Sequence, residues 1–270
     1  VPEGHTLHRL ARRQDADFAG RLVSVSSPQG RFADGAALVD GHRLTGVTAY
    51  GKHLFQHYDG GLVTHVHLGL YGKFTAGTGE PPEPRGALRM RIETADHDQP
   101  VRWTDLRGAI TCEVLPDPDG PAAVVAKLGP DPLRRDPGAQ DRAFERINRS
   151  RTSVGAQLMD QARLAGVGNV YRAEILFRHR ISPFRPGRGV TADEWSELWP
   201  DLVTLMRAGV RSGRIVTTDP ADRPAGRVRR DTAHYVYRRD GLPCRVCGTT
   251  ISRDLMAGRN LFWCPSCQRD

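Results

Sequence analysis

Near the start of this chain Pro2 and Glu3 set a secondary amine beside a carboxylic acid. An initiator residue ahead of proline is normally trimmed, which leaves Pro2 with a free α-amine. Val1 fits that expectation as a non-ATG start codon translated as Met and then removed. A retained residue would turn the Pro2 nitrogen into an amide and abolish the nucleophile. An α-amine has an ordinary pKa of about 7.7–8.0, so much of it is unprotonated near neutrality. Its attack on a sugar C1′ or an aldehyde yields an iminium ion, an electron sink for the next step. Glu3 stands next to it as a group able to move protons. The plain alternative is a fortuitous proline at a frayed terminus.

A second chemical signal is Cys244-x2-Cys247, sixteen residues, then Cys264-x2-Cys267. That spacing is the pattern of a closed four-thiolate Zn²⁺ site, structural because no position is left for substrate. Two disulfides are the competing reading, disfavoured by a cytosolic setting. The loop between the two pairs carries Gly258-Arg259-Asn260, and Arg259 there suits a phosphate. The fifth cysteine, Cys112, lies in a strand-like run and reads as a small buried residue. A third signal is Gly166-Val167-Gly168-Asn169, where Gly166 suits the end of one helix and Asn169 the cap of the next. Such a turn is either a simple helix hairpin or a place where backbone N–H groups meet an anion. Glu174, one turn further on, reads as a structural partner for a basic group.

The elements that must position these residues fall into two patterns. Residues 2–14 predict an amphipathic helix, with Leu7 and Leu10 flanked by basic residues. Short, partly alternating runs at 22–25, 43–47, 53–55, 62–68, 88–92 and 101–103 predict strands of a sandwich or barrel. The Pro/Asp/Gly-rich run 116–121 marks a break, with a short Ala/Val helix after it. The pattern then becomes helical, at about 139–150, 153–165, 169–180 and 191–211, with Val154, Leu158, Ala162 and Ala165 on one face. Residues 207–239 read as an irregular basic stretch, nine Arg against three Asp, either a solvated loop or a surface facing polyphosphate. The expected organisation is a catalytic domain at 1–127, a hinge at 128–138, a helical domain at 139–231 and a zinc finger at 232–270.

Composition narrows the class. A length of 270 residues favours two domains, and a net charge of +8 with a pI near 9.6 favours a polyanionic partner. Only three of the 39 basic residues are lysines, so Lys52 stands out from an arginine background. The absence of a long apolar run and of a signal-like start predicts a cytoplasmic protein with no membrane partner.

Taken together and in order, these pieces resemble the formamidopyrimidine-DNA glycosylase and endonuclease VIII family. The matching segments are Pro2-Glu3-Gly4, Tyr50-Gly51-Lys52-His53-Leu54, Leu128-Gly129-Pro130-Asp131-Pro132-Leu133, Asp160-Gln161, the run from Ala165 to Glu174, and Tyr237-Arg238-Arg239 through to Gln268. The resemblance implies an α+β multidomain fold. Its parts are a β-sandwich with an N-terminal helix, a helix–two-turns–helix domain and a four-cysteine zinc-finger hairpin, with damaged DNA bound between the halves. It implies a monomer of base excision repair, a DNA glycosylase and AP lyase with one Zn²⁺ and no organic cofactor. Pro2 is then the nucleophile, Glu3 the acid, and Lys52 a further catalytic and phosphate-gripping residue. Asn169 and Arg259 grip other phosphates.

The endonuclease VIII branch is the better match, through Gly51-Lys52 and the loop Leu68-Gly69-Leu70-Tyr71-Gly72, whose Leu70 and Tyr71 suit the gap left by an extruded base. Arg107 is a DNA-binding candidate, but no Phe follows it as is common in the purine-specific branch, so oxidised pyrimidines are favoured. His5-Thr6 stands where the family usually has a carboxylate, which bears on lesion preference. The alternatives are a non-catalytic zinc-finger nucleic-acid-binding protein, an inactive relative, and a purine-preferring glycosylase.

Overall fold

A computed structural model describes residues 2–95 and 100–269, which divide into two units, 1–127 and 128–270, each with its own core. Val1, whose removal is expected from the sequence, lies outside the described residues.

The first unit opens with α1 (Gly4–Phe18). The helix outruns the expected end at 14 because Phe18 continues the apolar stripe of Leu7 and Ala11 into the core. Its polar anchors face β2 (Arg43–Tyr50) and β3 (His53–Tyr58): Val47 N–H donates to Asp15 Oδ1 at 2.9 Å, and Gln56 Nε2 donates to Gln14 Oε1 at 2.7 Å. Eight antiparallel strands follow the order β5-β7-β6-β1-β2-β3-β4-β8. The others are β1 (Arg21–Ser26), β4 (Leu62–His67), β5 (Lys73–Thr78), β6 (Leu88–Thr94), β7 (Arg102–Arg107) and β8 (Thr111–Pro116).

Strand β1 changes partner half-way, pairing with β2 at Arg21 and Leu22 and with β6 from Val23 to Ser26. The sheet therefore folds at β1 into two layers, and Val25, Leu44, Leu54, Val66, Met90 and Leu106 close one core between them. Each such side chain contributes roughly 1.5–3 kcal/mol through burial. Two elements escaped the sequence pattern, α2 (Ala33–Val39) and β5. Both are short, and β5 carries Lys, Thr and Gly rather than an alternating apolar run. The expected Ala/Val helix is α3 (Asp119–Val125).

The second unit contains α4 (Ala139–Asn148), α5 (Val154–Gln157), α6 (Asn169–Arg178) and α7 (Ala192–Ser212). Helix α7 begins with a reciprocal capping box between Thr191 and Glu194 and ends at Gly213, which has a φ of 73°. The helix expected at 153–165 is a correction: only Val154–Gln157 is helical, and the chain then makes two turns. The Gln161 side chain holds those turns, donating to Met159 O and Val167 O and accepting from Gly166 N–H. Ala162, expected on the buried face, is exposed as a result. Residues 128–138 belong to this unit. Gly129 N–H donates to Gln161 O and Ala165 N–H to Pro130 O, so the start of that segment is strapped onto the turns. The last hairpin pairs β9 (Ser252–Met256) with β10 (Arg259–Trp263) across Ala257 and Gly258, both at positive φ as a tight hairpin turn requires. No helix among the described residues is long and apolar enough to cross a membrane.

Candidate active site

Pro2 is half-buried just before α1, and Glu3, at 0% exposure, is the residue that precedes the helix, its carbonyl accepting from Thr6 N–H at 2.8 Å. The tight turn Gly51-Lys52 joins β2 to β3, with Gly51 at a φ of 56° and Tyr50 paired to His53. Helix α1 runs antiparallel to β2, since Gly20 N–H bonds Leu44 O while Asp15 meets Val47. From Asp15 back to Glu3 the helix rises roughly 18 Å, and from Val47 to Lys52 the strand advances roughly 17 Å. The helix start and the lysine turn therefore lie at the same end of this unit. His5, one turn in, is buried, and burial holds its imidazole near a pKa of about 4, well under the ordinary 6.5.

Three histidines beside Lys52 were missed as site residues. His53, His65 and His67 share one face of the sheet, with His53 opposite His67 in the β3–β4 register. Burial lowers the pKa of both His53 and His67, and the Lys52 charge adds to the effect on each. The signal was present in the sequence as His65-x-His67, but only strand pairing places His53 against them.

The loop after β4 closes through Gly72 N–H to Leu68 O at 3.0 Å and exposes Leu70 and Tyr71, the latter to 86%. Ile110, on the β7–β8 loop, is 69% exposed and lies against Gly69, so close that a side chain at Gly69 would meet its Cδ1. It is a third apolar group at this loop tip and was not picked out from the sequence. Arg107 does not project in the same way. Its Nη2 lies 3.0 Å from the buried Asp105 carboxylate and its Nη1 donates to Thr75 Oγ1 at 3.2 Å. The same carboxylate takes two bonds from the buried Arg91.

In the second unit, Asn169 is the first residue of α6 and not its expected cap, which is Gly168, because its Nδ2 donates instead to Asn260 O in β10 at 2.9 Å. The fully buried Arg172 donates to Asn169 Oδ1 and, at 3.2 Å, to Met256 O. These bonds bring Asn169 to the hairpin whose exposed Arg259 begins β10. Glu174, the expected structural partner of a basic group, directs its hydrogen bonds mainly to the backbone, with His234 and Arg239 within its electrostatic reach. It accepts from the backbone N–H groups of Tyr235, Val236 and Tyr237 at 2.7–2.8 Å and from the Thr217 hydroxyl. That bonding ties α6 to the segment leading into the cysteines.

The four cysteine Sγ atoms lie within 4.8 Å of one another, with Cys244 to Cys267 at 3.9 Å and Cys247 to Cys264 at 3.5 Å. Tetrahedral zinc with Zn–S bonds of about 2.3 Å requires S···S separations of about 3.8 Å. A disulfide requires about 2.05 Å. The donor set fits a closed structural zinc and not two disulfides.

Three family models match the chain. The formamidopyrimidine-DNA glycosylase N-terminal domain covers residues 1–112, the formamidopyrimidine-DNA glycosylase H2TH domain 128–220, and the zinc finger found in FPG and IleRS 241–269. Endonuclease 8 1 of Mycobacterium tuberculosis is 53% identical, over 99% of this chain and 100% of the relative. Formamidopyrimidine-DNA glycosylase of Thermus thermophilus is 36% identical, over 99% and 97%. The crystal structure of MutM (Fpg) from Thermus thermophilus matches with a TM-score of 0.72 at 30% identity, over 99% and 98%. Lactococcus lactis Fpg in complex with abasic-site DNA has a TM-score of 0.80 at 20% identity, over 99% and 100%, a likeness of fold. The chain belongs to the formamidopyrimidine-DNA glycosylase family, whose members are DNA glycosylases with AP lyase activity. It carries one structural zinc on its four cysteines.

Proposed function

We propose that this DNA glycosylase and AP lyase of base excision repair works through the Pro2 amine and removes oxidised pyrimidines. The observation that carries the reading is the buried Glu3 beside Pro2 at a helix start that reaches the level of Lys52. The Pro2 nitrogen attacks C1′ of the damaged nucleotide, and the bond from C1′ to the base breaks as the base leaves with that electron pair and takes up a proton. Glu3 protonates O4′ as the sugar ring opens, and Pro2 N and C1′ become an iminium. Loss of a C2′ proton then expels the 3′ phosphate, loss of a C4′ proton expels the 5′ phosphate, and hydrolysis frees the amine. Backbone phosphates are held by Lys52, Asn169 and Arg259. The zinc holds the hairpin that presents Arg259 and takes no part in bond making.

The pyrimidine preference is supported by the exposed Leu70 and Tyr71, a plug that offsets part of the few kcal/mol of unstacking, and by the greater identity to endonuclease 8 1. Arg107, braced on Asp105, serves as a fixed cation beside that loop rather than as an inserted side chain.

Borohydride reduction in the presence of abasic duplex tests the nucleophile. A chain beginning at Pro2 is expected to form a covalent adduct on its N-terminal peptide, and a chain extended by one uncleaved residue is not. Equal adduct from both would move the chemistry to another amine. Excision from duplexes holding 5-hydroxyuracil or 8-oxoguanine tests the lesion class, with the former expected to be cut faster.

A further inference from the structure

The face of β3, β4 and β8 opposite Leu54 and Val66 carries a line of hydrogen bonds that the reaction above does not use. His65 Nδ1 lies 2.9 Å from Glu113 Oε1, and His65 Nε2 lies 2.9 Å from His53 Nδ1. The strand register builds this line, since His65 pairs with Glu113 on one side and with Phe55 on the other, two residues along from His53. The far ring, His53, lies 4.9 Å from His67 centroid to centroid and immediately follows Lys52. The middle ring is 4% exposed, whereas half of the Glu113 side chain faces solvent.

With His65 neutral, hydrogen counting sets the direction of each bond in the line. An ionised Glu113 only accepts, so His65 must carry its hydrogen on Nδ1. A neutral His65 then has a bare Nε2, which needs a donor, and that donor is His53 Nδ1–H. One half-exposed carboxylate thus selects the Nδ1–H tautomer of two successive imidazoles, against the free ring's preference for Nε2–H. The neutral state this requires of His53 agrees with its pKa of about 3, set first by burial, with the Lys52 ammonium lowering it further.

We propose that Glu113, His65 and His53 are positioning residues that lock the first residue of β3 and so hold the Lys52 ammonium in place for a DNA phosphate. The locked ring is next in sequence to Lys52 and is also packed on His67. Its orientation therefore limits the freedom of the two-residue turn that carries the lysine. Lysine loses considerable rotamer freedom on binding, and a turn already held at its base reduces that cost. The proposal rests on the phosphate-gripping role of Lys52.

The test uses the full-length zinc-loaded protein with Glu113→Ala, Glu113→Gln, His65→Phe and Lys52→Ala. Long-range ¹H–¹⁵N NMR of the free protein should show His65 and His53 as Nδ1–H tautomers, and Glu113→Ala should shift them towards Nε2–H. On abasic-site duplex, Glu113→Ala and His65→Phe should raise KM about three- to tenfold with kcat changed less than twofold. Glu113→Gln keeps an acceptor oxygen for His65 Nδ1–H and should stay near wild type. Because Glu113 is half-exposed, its alanine variant should fold normally, so the result does not depend on His65→Phe. An Nε2–H tautomer at His53 in the wild type overturns the proposal, and so does an unchanged KM in Glu113→Ala where Lys52→Ala binds weakly. If Lys52→Ala itself binds as wild type, the phosphate grip is at fault, and the relay loses its output with it.

Discussion

Glu3 meets two demands at once. Its backbone carbonyl closes the first turn of α1, and its side chain belongs to a residue with no exposed surface at the helix start. Glu3→Gln preserves the first and removes the acid. Base removal should fall about 10²–10⁴-fold, the usual worth of a positioned proton donor, while nicking of a preformed abasic site falls less. Single-turnover assays on the two substrates read the difference. Equal loss in both would make Glu3 a folding or DNA-binding residue instead.

Among the elements, the union of α6 with the zinc hairpin matters most. Arg172 spans the gap with bonds to Asn169, Met256 and Asn260, so the helix start and the hairpin tip move as one piece. If Asn169 and Arg259 work on this surface and Lys52 works on the β2–β3 turn, all three variants to alanine should bind damaged and undamaged duplex more weakly. The salt slope of binding should fall by about one unit for Lys52→Ala and for Arg259→Ala and stay nearly unchanged for Asn169→Ala. Titrations at several salt concentrations measure it. A surface residue without a ligand would change stability by no more than about 0.5 kcal/mol and leave binding alone.

For the whole molecule, cores confined to one unit or the other mean that damage to one unit should not unfold the other. Cys247→Ser, or removal of zinc by a chelator, is expected to loosen the hairpin and cost DNA affinity while amides of β2 and β3 keep their protection from hydrogen exchange. Protection lost throughout the first unit would count against independent folding. Acid should act on the first unit through its histidines. His5 and His53 have folded pKa values of about 4 and about 3, below the ordinary 6.5, so the unfolded chain takes up protons that the folded chain refuses. Their contribution is intact above pH 6.5 and is lost as pH falls, with a slope of about 1.4 kcal/mol per pH unit for each group until its folded pKa is reached. Hydrogen exchange at α1 and β3 between pH 7.5 and 5 should show the loss, and His53→Gln should flatten it.

What the sequence determined by itself was local. Two CxxC pairs make their own turns, so the zinc ligands were legible from spacing. The glycine-rich turn marked where α6 starts but not its cap, because Gly168 takes the cap position and the Asn169 amide is drawn to Asn260 in a distant hairpin. The loop that exposes Leu70 and Tyr71 was legible as a turn because glycines flank the pair, with Gly69 at a φ of 66°. What tertiary structure decided depends on residues far apart in the chain. The helical pattern of 153–165 was overruled by Gln161, whose amide satisfies turn carbonyls that a continuous helix would have used itself. Arg107 was held back by Asp105, a carboxylate whose burial only the sheet creates. The line from Glu113 through His65 to His53 crosses three strands, joining residues 48 and 12 positions apart, and side-chain periodicity within a strand carries no information about which strand lies alongside.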